Sequence, residues 1–151
     1  MIRLLSNQIF LTAVAADAVA QILKVLLVYV SEREWNLERM FGSGGMPSSH
    51  SSLVSALAAG VAITQGMDTP LFAVTAVFAM VIMYDACGVR RAAGRHAHLL
   101  NELVLELRDV LDQGFKPEVL KTFLGHTCMQ VFFGLLLGIS VALFSFYVWP
   151  A

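Results

Sequence analysis

Apolar residues gather in four stretches along this chain, at about residues 9–30, 51–65, 71–84 and 131–149, with polar segments between them. A helix perpendicular to a bilayer needs about 20 apolar residues to cross the hydrocarbon core. The first and last stretches meet that length. The second and third are short for it, so they either borrow flanking residues or thin the bilayer locally. Gly66-Met67-Asp68-Thr69-Pro70 between them reads as a tight turn, which makes the pair a helical hairpin. Tyr147 and Trp149 fit an interfacial anchor at the end of the last span. A fifth pattern is amphipathic. Leu99, Leu100, Leu103, Val104, Leu107, Val110 and Leu111 recur at spacings of three and four, while Asn101, Glu102, Glu106, Arg108 and Asp109 occupy the other face. This predicts a helix over about 98–112 lying on the membrane or the bundle, ended by Gly114 and Pro117. The expected fold is all-α: one membrane-embedded domain over 1–151, with about four transmembrane helices and the amphipathic helix near 98–112.

Composition agrees. Of 151 residues, 58% are hydrophobic and 14% charged, and the mean hydropathy is +0.73. Soluble domains carry about 25% charged residues, so this is an integral membrane protein. The net charge of −1 gives no sign of a nucleic-acid partner, and none is expected. Cys87 and Cys128 form no Cys-x-x-Cys pair and read as small packing residues.

Where the charge falls is more informative than its sum. With four crossings, Arg33, Arg39, Arg90, Arg91, Arg95, Arg108, Lys116 and Lys121 share one side, and Arg3 is alone on the other. The positive-inside rule then puts both termini outside and both long loops in the cytoplasm, with a bacterial inner membrane as the expected address. The same arrangement collects His50, the 90–95 arginines and His126 on one membrane face.

Several polar groups on that face suggest chemistry. Gly44-Gly45-Met46-Pro47-Ser48-Ser49-His50 opens the second apolar stretch. A helix N-terminus offers unpaired N–H groups and a partial positive charge, which suits a phosphate. The imidazole beside it titrates near neutrality and can pass a proton. Pro-Ser-Ser is also an ordinary helix start. Asp17, Gln21 and Lys24 share one face of the first span. Intramembrane charges usually turn toward the bundle and have partners; Lys24 either snorkels or points into a phosphate site, and Asp17 reads as a structural partner. Asp85 precedes Arg90, Arg91 and Arg95, whose planar forks match phosphate oxygens, and it is placed to orient one of them. His96-x-His98 is a weak metal signal, and no metal or cofactor is expected. His126 stands after Gly125 at another helix entrance, and Gly134 and Gly138 give the helix that follows a face for close packing. Two histidines, a lysine and several arginines suggest phosphoryl transfer, with one nucleophile, one acid and cations around the phosphate oxygens.

These residues carry a resemblance. Gly-Gly-Met-Pro-Ser-Ser-His at 44–50, Tyr-Asp-Ala-Cys-Gly-Val-Arg-Arg-Ala-Ala-Gly-Arg at 84–95 and Leu-Gly-His-Thr at 124–127 resemble the divergent branch of the type-2 phosphatidic acid phosphatase and vanadium haloperoxidase superfamily, over nearly the whole chain. The resemblance implies a metal-independent membrane phosphatase acting on a lipid phosphate or pyrophosphate at the cytoplasmic face. His126 would attack phosphorus to form a phosphohistidine, and His50 would protonate the leaving alcohol. Lys24, Arg39, Ser48, Ser49, Arg90, Arg91 and Arg95 are then the phosphate-binding candidates. The superfamily has an acidic residue four positions after its nucleophilic histidine, where this chain has Gln130. Gln130 itself, Asp85, Asn101 or Glu102 is expected to orient the imidazole. The alternative is a non-catalytic lipid-phosphate binder or scaffold. The bilayer and an anionic lipid are the expected partners, and a homo-oligomer stays open.

Overall fold

The computed structural model describes residues 5–33, 45–107, 119–120, 122 and 125–150. Among these residues, five long helices follow one another: α1 (Gln8–Glu32), α2 (Ser49–Gln65), α3 (Pro70–Cys87), α4 (Val89–Leu107) and α5 (Cys128–Val148). Local chemistry sets their ends. Asn7 caps α1, accepting the Phe10 N–H at 3.0 Å, and Arg33 closes it in the left-handed region at φ 59°. Ser48 caps α2. Thr69 caps α3, with Pro70 at its first position, where no N–H is needed. Thr127 and Gln130 form a reciprocal capping box at the start of α5.

α2 is the centre of the bundle and packs against α1, α3 and α5. Small residues make this possible. Ala16, Ala56 and Ala142 meet fully buried where α1, α2 and α5 cross. A Cβ on Gly138 would stand 2.1 Å from the Ser52 carbonyl oxygen, and one on Gly134 would stand 2.4 Å from that of Ser48. Only glycine lets α5 lie this close to α2. Hydroxyls tie the same helices together. Ser52 Oγ donates to the Ala16 carbonyl at 3.0 Å, Ser55 Oγ donates to that of Leu135 at 3.2 Å, and Thr12 and Ser145 share a 2.8 Å bond. In lipid such bonds replace the hydrophobic drive that would hold a soluble core.

Among the described residues, three apolar segments are long enough to cross a membrane: Gln8–Ser31, Cys128–Val148, and a window within the Pro70–Leu107 stretch that contains α3. The 17 residues of α2 extend about 25 Å, just under the hydrocarbon thickness. They are enclosed by three other helices, and the serine-rich first half is buried in protein. On α3, Val74, Val77, Phe78, Met80 and Val81 are exposed. An apolar face of that extent belongs against lipid.

One element begins earlier than its periodicity suggests. The arginines of 90–95 lie on α4, which begins at Val89 instead of near residue 98. Gly88 and Gly94 look like breakers in the sequence, but the Arg-Arg-Ala-Ala run between them is strongly helix-forming. The far end of the expected amphipathic helix, 108–112, and its terminators Gly114 and Pro117 lie outside the described residues, as does Arg39.

Candidate active site

The chemistry-bearing residues meet at one end of the bundle, where the second half of α1, the start of α2, the last turns of α3 and the starts of α4 and α5 come together. Backbone bonds fasten this junction. The Ser48 N–H donates to the Gln130 carbonyl at 3.0 Å, joining the cap of α2 to α5. The His126 N–H donates to the Ala86 carbonyl at 2.9 Å, joining the loop before α5 to α3. Gly125, at φ +83°, has no room for a side chain: a Cβ there would lie 2.4 Å from the Arg91 amide nitrogen. The chain reaches His126 only because residue 125 is glycine.

His126 is buried at 5% exposure. Its Nδ1 lies 3.3 Å from Gln130 Oε1, and the same oxygen accepts the Thr127 N–H at 2.9 Å. The capping bond identifies that amide atom as the oxygen, because a backbone N–H needs an acceptor. Gln130 Oε1 therefore accepts from Nδ1–H. Burial, first of all, and then the positive charge of Lys24 and His50 hold His126 below the ordinary histidine range; the Gln130 bond and the Gly45 main chain pull the other way. The result is a neutral imidazole at pH 7.

His50 stands on the first turn of α2. It lines a small cavity with His126, Arg90, Ile82 and Ala86. At about 20 Å³ that space admits one water. A phosphate group needs more than that, and His50 and Arg90 are both exposed. Arg90 Nε donates to Asp85 Oδ2 at 2.5 Å, as the expected orienting pair.

Lys24 is 1% exposed, and its stem packs under Gly45. Its Nζ donates to Gln21 Oε1 at 3.2 Å, and Gln21 Nε2 donates to Ser49 Oγ at 3.2 Å. Gln21 thus links the buried lysine to the first turn of α2. Sequence reasoning put Gln21 on the Lys24 face without giving it a task; that shared face was the available signal. Asp17 lies two turns deeper on α1, about 10 Å along its axis.

The other expected site residues fall in different places. Ser48 Oγ accepts from Ser51 Oγ at 2.9 Å and caps the helix, and Ser49 Oγ is taken by Gln21. What this turn offers an anion is its first main-chain N–H groups, which have no intrahelical acceptor. Glu102 pairs with His98 at 3.3 Å. Asn101 makes two bonds to the Leu120 main chain, at 2.9 and 3.0 Å, and so positions the segment before α5. Of the four groups expected to orient His126, the one that meets it is Gln130. Arg91 and Arg95 line a separate cavity with His98 and Thr122. Both cysteines are free, Cys87 half-buried and Cys128 exposed.

Comparison with known proteins places the chain in a family. A family model described as the divergent PAP2 family matches residues 5–141. The chain is 40% identical over 153 residues to a Bacillus subtilis (strain 168) protein named "Uncharacterized membrane protein YuiD", a match covering 95% of this chain and 97% of that protein. No solved structure matches it. With that family match over most of its length, the chain belongs to the divergent PAP2 family.

Proposed function

We propose that the protein is a membrane phosphatase that hydrolyses a lipid phosphate or pyrophosphate without a metal, through a phosphohistidine. One observation carries the reading: a buried histidine, its Nδ1 tied to Gln130, shares a cavity with a second histidine and an arginine. His126 Nε2 attacks phosphorus and the P–O bond to the lipid breaks. His50 gives its proton to the departing oxygen. Water, deprotonated by His50, then attacks the phosphohistidine and releases inorganic phosphate, which restores both imidazoles. Lys24, Arg90 and the first N–H groups of α2 hold the non-bridging oxygens. A phosphate monoester carries about −1.5 to −2 charge near neutrality, so more than one cation is needed. Arg33, Arg90, Arg91 and Arg95 stand at this end of the bundle, which supports a cytoplasmic site by the positive-inside rule.

The test is phosphate release from phosphatidic acid by the detergent-purified protein in EDTA. Release above background supports the reading. A rate that equals the protein-free control counts against it.

The nucleophile must be neutral, and its pKa is lowered. The rate should therefore fall as pH drops, with the midpoint of that acid limb below the ordinary histidine value of about 6.5. An acid limb centred above 6.5 in kcat/KM would mean that another group titrates.

Gln130 favours a second reading, a non-catalytic lipid-phosphate binder. An amide orients an imidazole but cannot stabilise imidazolium as a carboxylate does. Gln130→Glu keeps an acceptor for Thr127 N–H and adds that charge. On the phosphatase reading it changes kcat by about tenfold or less, because orientation is already present. Hydrolysis seen only in Gln130→Glu, with none in the native chain, establishes the binder.

A further inference from the structure

Gln21 makes two bonds, and each fixes the direction of the other. Lys24 Nζ can only donate, so its 3.2 Å contact identifies the amide atom it meets as Gln21 Oε1. The remaining amide atom is then Nε2, and Ser49 Oγ, 3.2 Å away, accepts from it. The amide cannot turn over without setting its own N–H groups against the ammonium. Gln21 stands one turn before Lys24 on α1, and Ser49 is the first residue of α2, with His50 next. One side chain on α1 thus ties a buried ammonium to the N-terminus of α2.

The chemical nature of this tie matters. Lys24 is 1% exposed, and a charge within a membrane bundle needs partners. A carboxylate at position 21 would satisfy the ammonium and also cancel it. The amide satisfies it and adds no opposing charge. Asp17, two turns deeper on the same face, also acts on Lys24 and is common to every variant considered below. The charged groups around His126 are Lys24 from α1, His50 from α2, and Arg90, paired with Asp85, from α4 and α3. Gln130 follows the same logic across the site: its amide oxygen, shared with the Thr127 N–H, orients His126 without adding charge.

We infer that Gln21 is a positioning residue for the phosphate site, a neutral clamp that holds the Lys24 ammonium beside the first turn of α2 and leaves its charge for the substrate. This rests on the phosphatase reading and adds to it a residue that acts through Lys24.

The experiment is a double-mutant cycle on Gln21 and Lys24, read with phosphatidic acid across pH. Gln21→Met keeps the bulk and removes both bonds. It should lower kcat/KM about tenfold, mainly through KM. Lys24→Met should lower it further. In Gln21→Met/Lys24→Met the added Gln21 substitution should cost less than about twofold, because no ammonium is left to position. Gln21→Glu keeps an acceptor for Lys24 and opposes its charge. It should also lose about tenfold, and the acid limb of its kcat/KM profile should move to higher pH, as in Lys24→Met, while Gln21→Met leaves that limb in place. Fully additive losses in the double variant overturn the inference, as does a Gln21→Glu protein with the native rate and limb. Where Gln21→Met does not fold, Gln21→Glu alone and with Lys24→Met gives the same decision. If the native protein releases no phosphate, the phosphatase reading fails, and affinity for inorganic phosphate by calorimetry replaces kcat/KM in the cycle. Non-additive weakening then supports the clamp; additive weakening, or no binding by the native protein, refutes it.

Discussion

His126→Ala should reduce phosphate release by about 10⁴-fold or more, to the protein-free background. The expectation follows from its place in the reaction. The nucleophile's removal leaves His50 with a proton to give but nothing to form the new bond. The remaining cations bind phosphate oxygens in ground and transition states alike, and such uniform binding does not speed the chemical step. His126→Ala should remain folded. The residue is held by its backbone N–H to Ala86, which alanine keeps, and its side chain bonds to Gln130, which still has the Thr127 N–H. Melting within a few degrees of the native protein, with lost turnover, would fit that account. Rapid acid-free quenching of the native protein with labelled substrate should trap phosphate on histidine, and His126→Ala should not.

The second large effect lies away from the chemistry. Gly138→Ala puts a methyl 2.1 Å from the Ser52 carbonyl oxygen and from Ser55 Oγ. Neither can yield cheaply, since the Ser52 carbonyl is backbone and Ser55 Oγ is bonded to Leu135 and Ser52. α5 must therefore move off α2. Overpacking of this sort costs about 1–3 kcal/mol or more, which should lower Tm in detergent by about 5–10 °C. Activity should fall with it. His126 precedes α5 and His50 opens α2, and Ser48 N–H to the Gln130 carbonyl is the bond that keeps the two ends together. Ser140→Ala on the exposed face of α5 is the control: its hydroxyl bonds within its own helix at 2.8 Å, and its loss should leave Tm and rate nearly unchanged.

Much of this was legible in the chain. The apolar stretches mark α1, α3 and α5 to within a few residues, because a membrane helix is written in composition more than in periodicity. Pro-Ser-Ser-His was visible as a helix start, and Gly134 and Gly138 as a close-packing face. The Gln130 oxygen meets His126 because Gln130, at the third position of α5, turns its side chain back over the Thr127 cap, where the residue before the cap lies within reach. What was not legible depends on helix phase. Whether Arg90, Arg91 and Arg95 act together or apart is decided by α4 beginning at Val89, and the glycines on either side disguised that beginning. The serines of the turn were equally ambiguous. Ser48 and Ser49 have the right chemistry for a phosphate, but one hydroxyl caps its helix and the other receives Gln21, a partner from a helix distant in sequence. Lys24 illustrates the same point: its burial beneath Gly45 belongs to tertiary contact.

The central claim is that His50 and His126 act on one phosphorus. A structure with orthovanadate bound tests it most directly, since vanadate adopts the five-coordinate geometry of phosphoryl transfer and binds where the transition state is stabilised. The account predicts vanadium bonded to His126 Nε2, the His50 imidazole within hydrogen-bonding reach of the opposite apical oxygen, and Arg90 and Lys24 at the equatorial oxygens. Vanadate bonded elsewhere, or seated at His126 with His50 beyond reach of any of its oxygens, would contradict it.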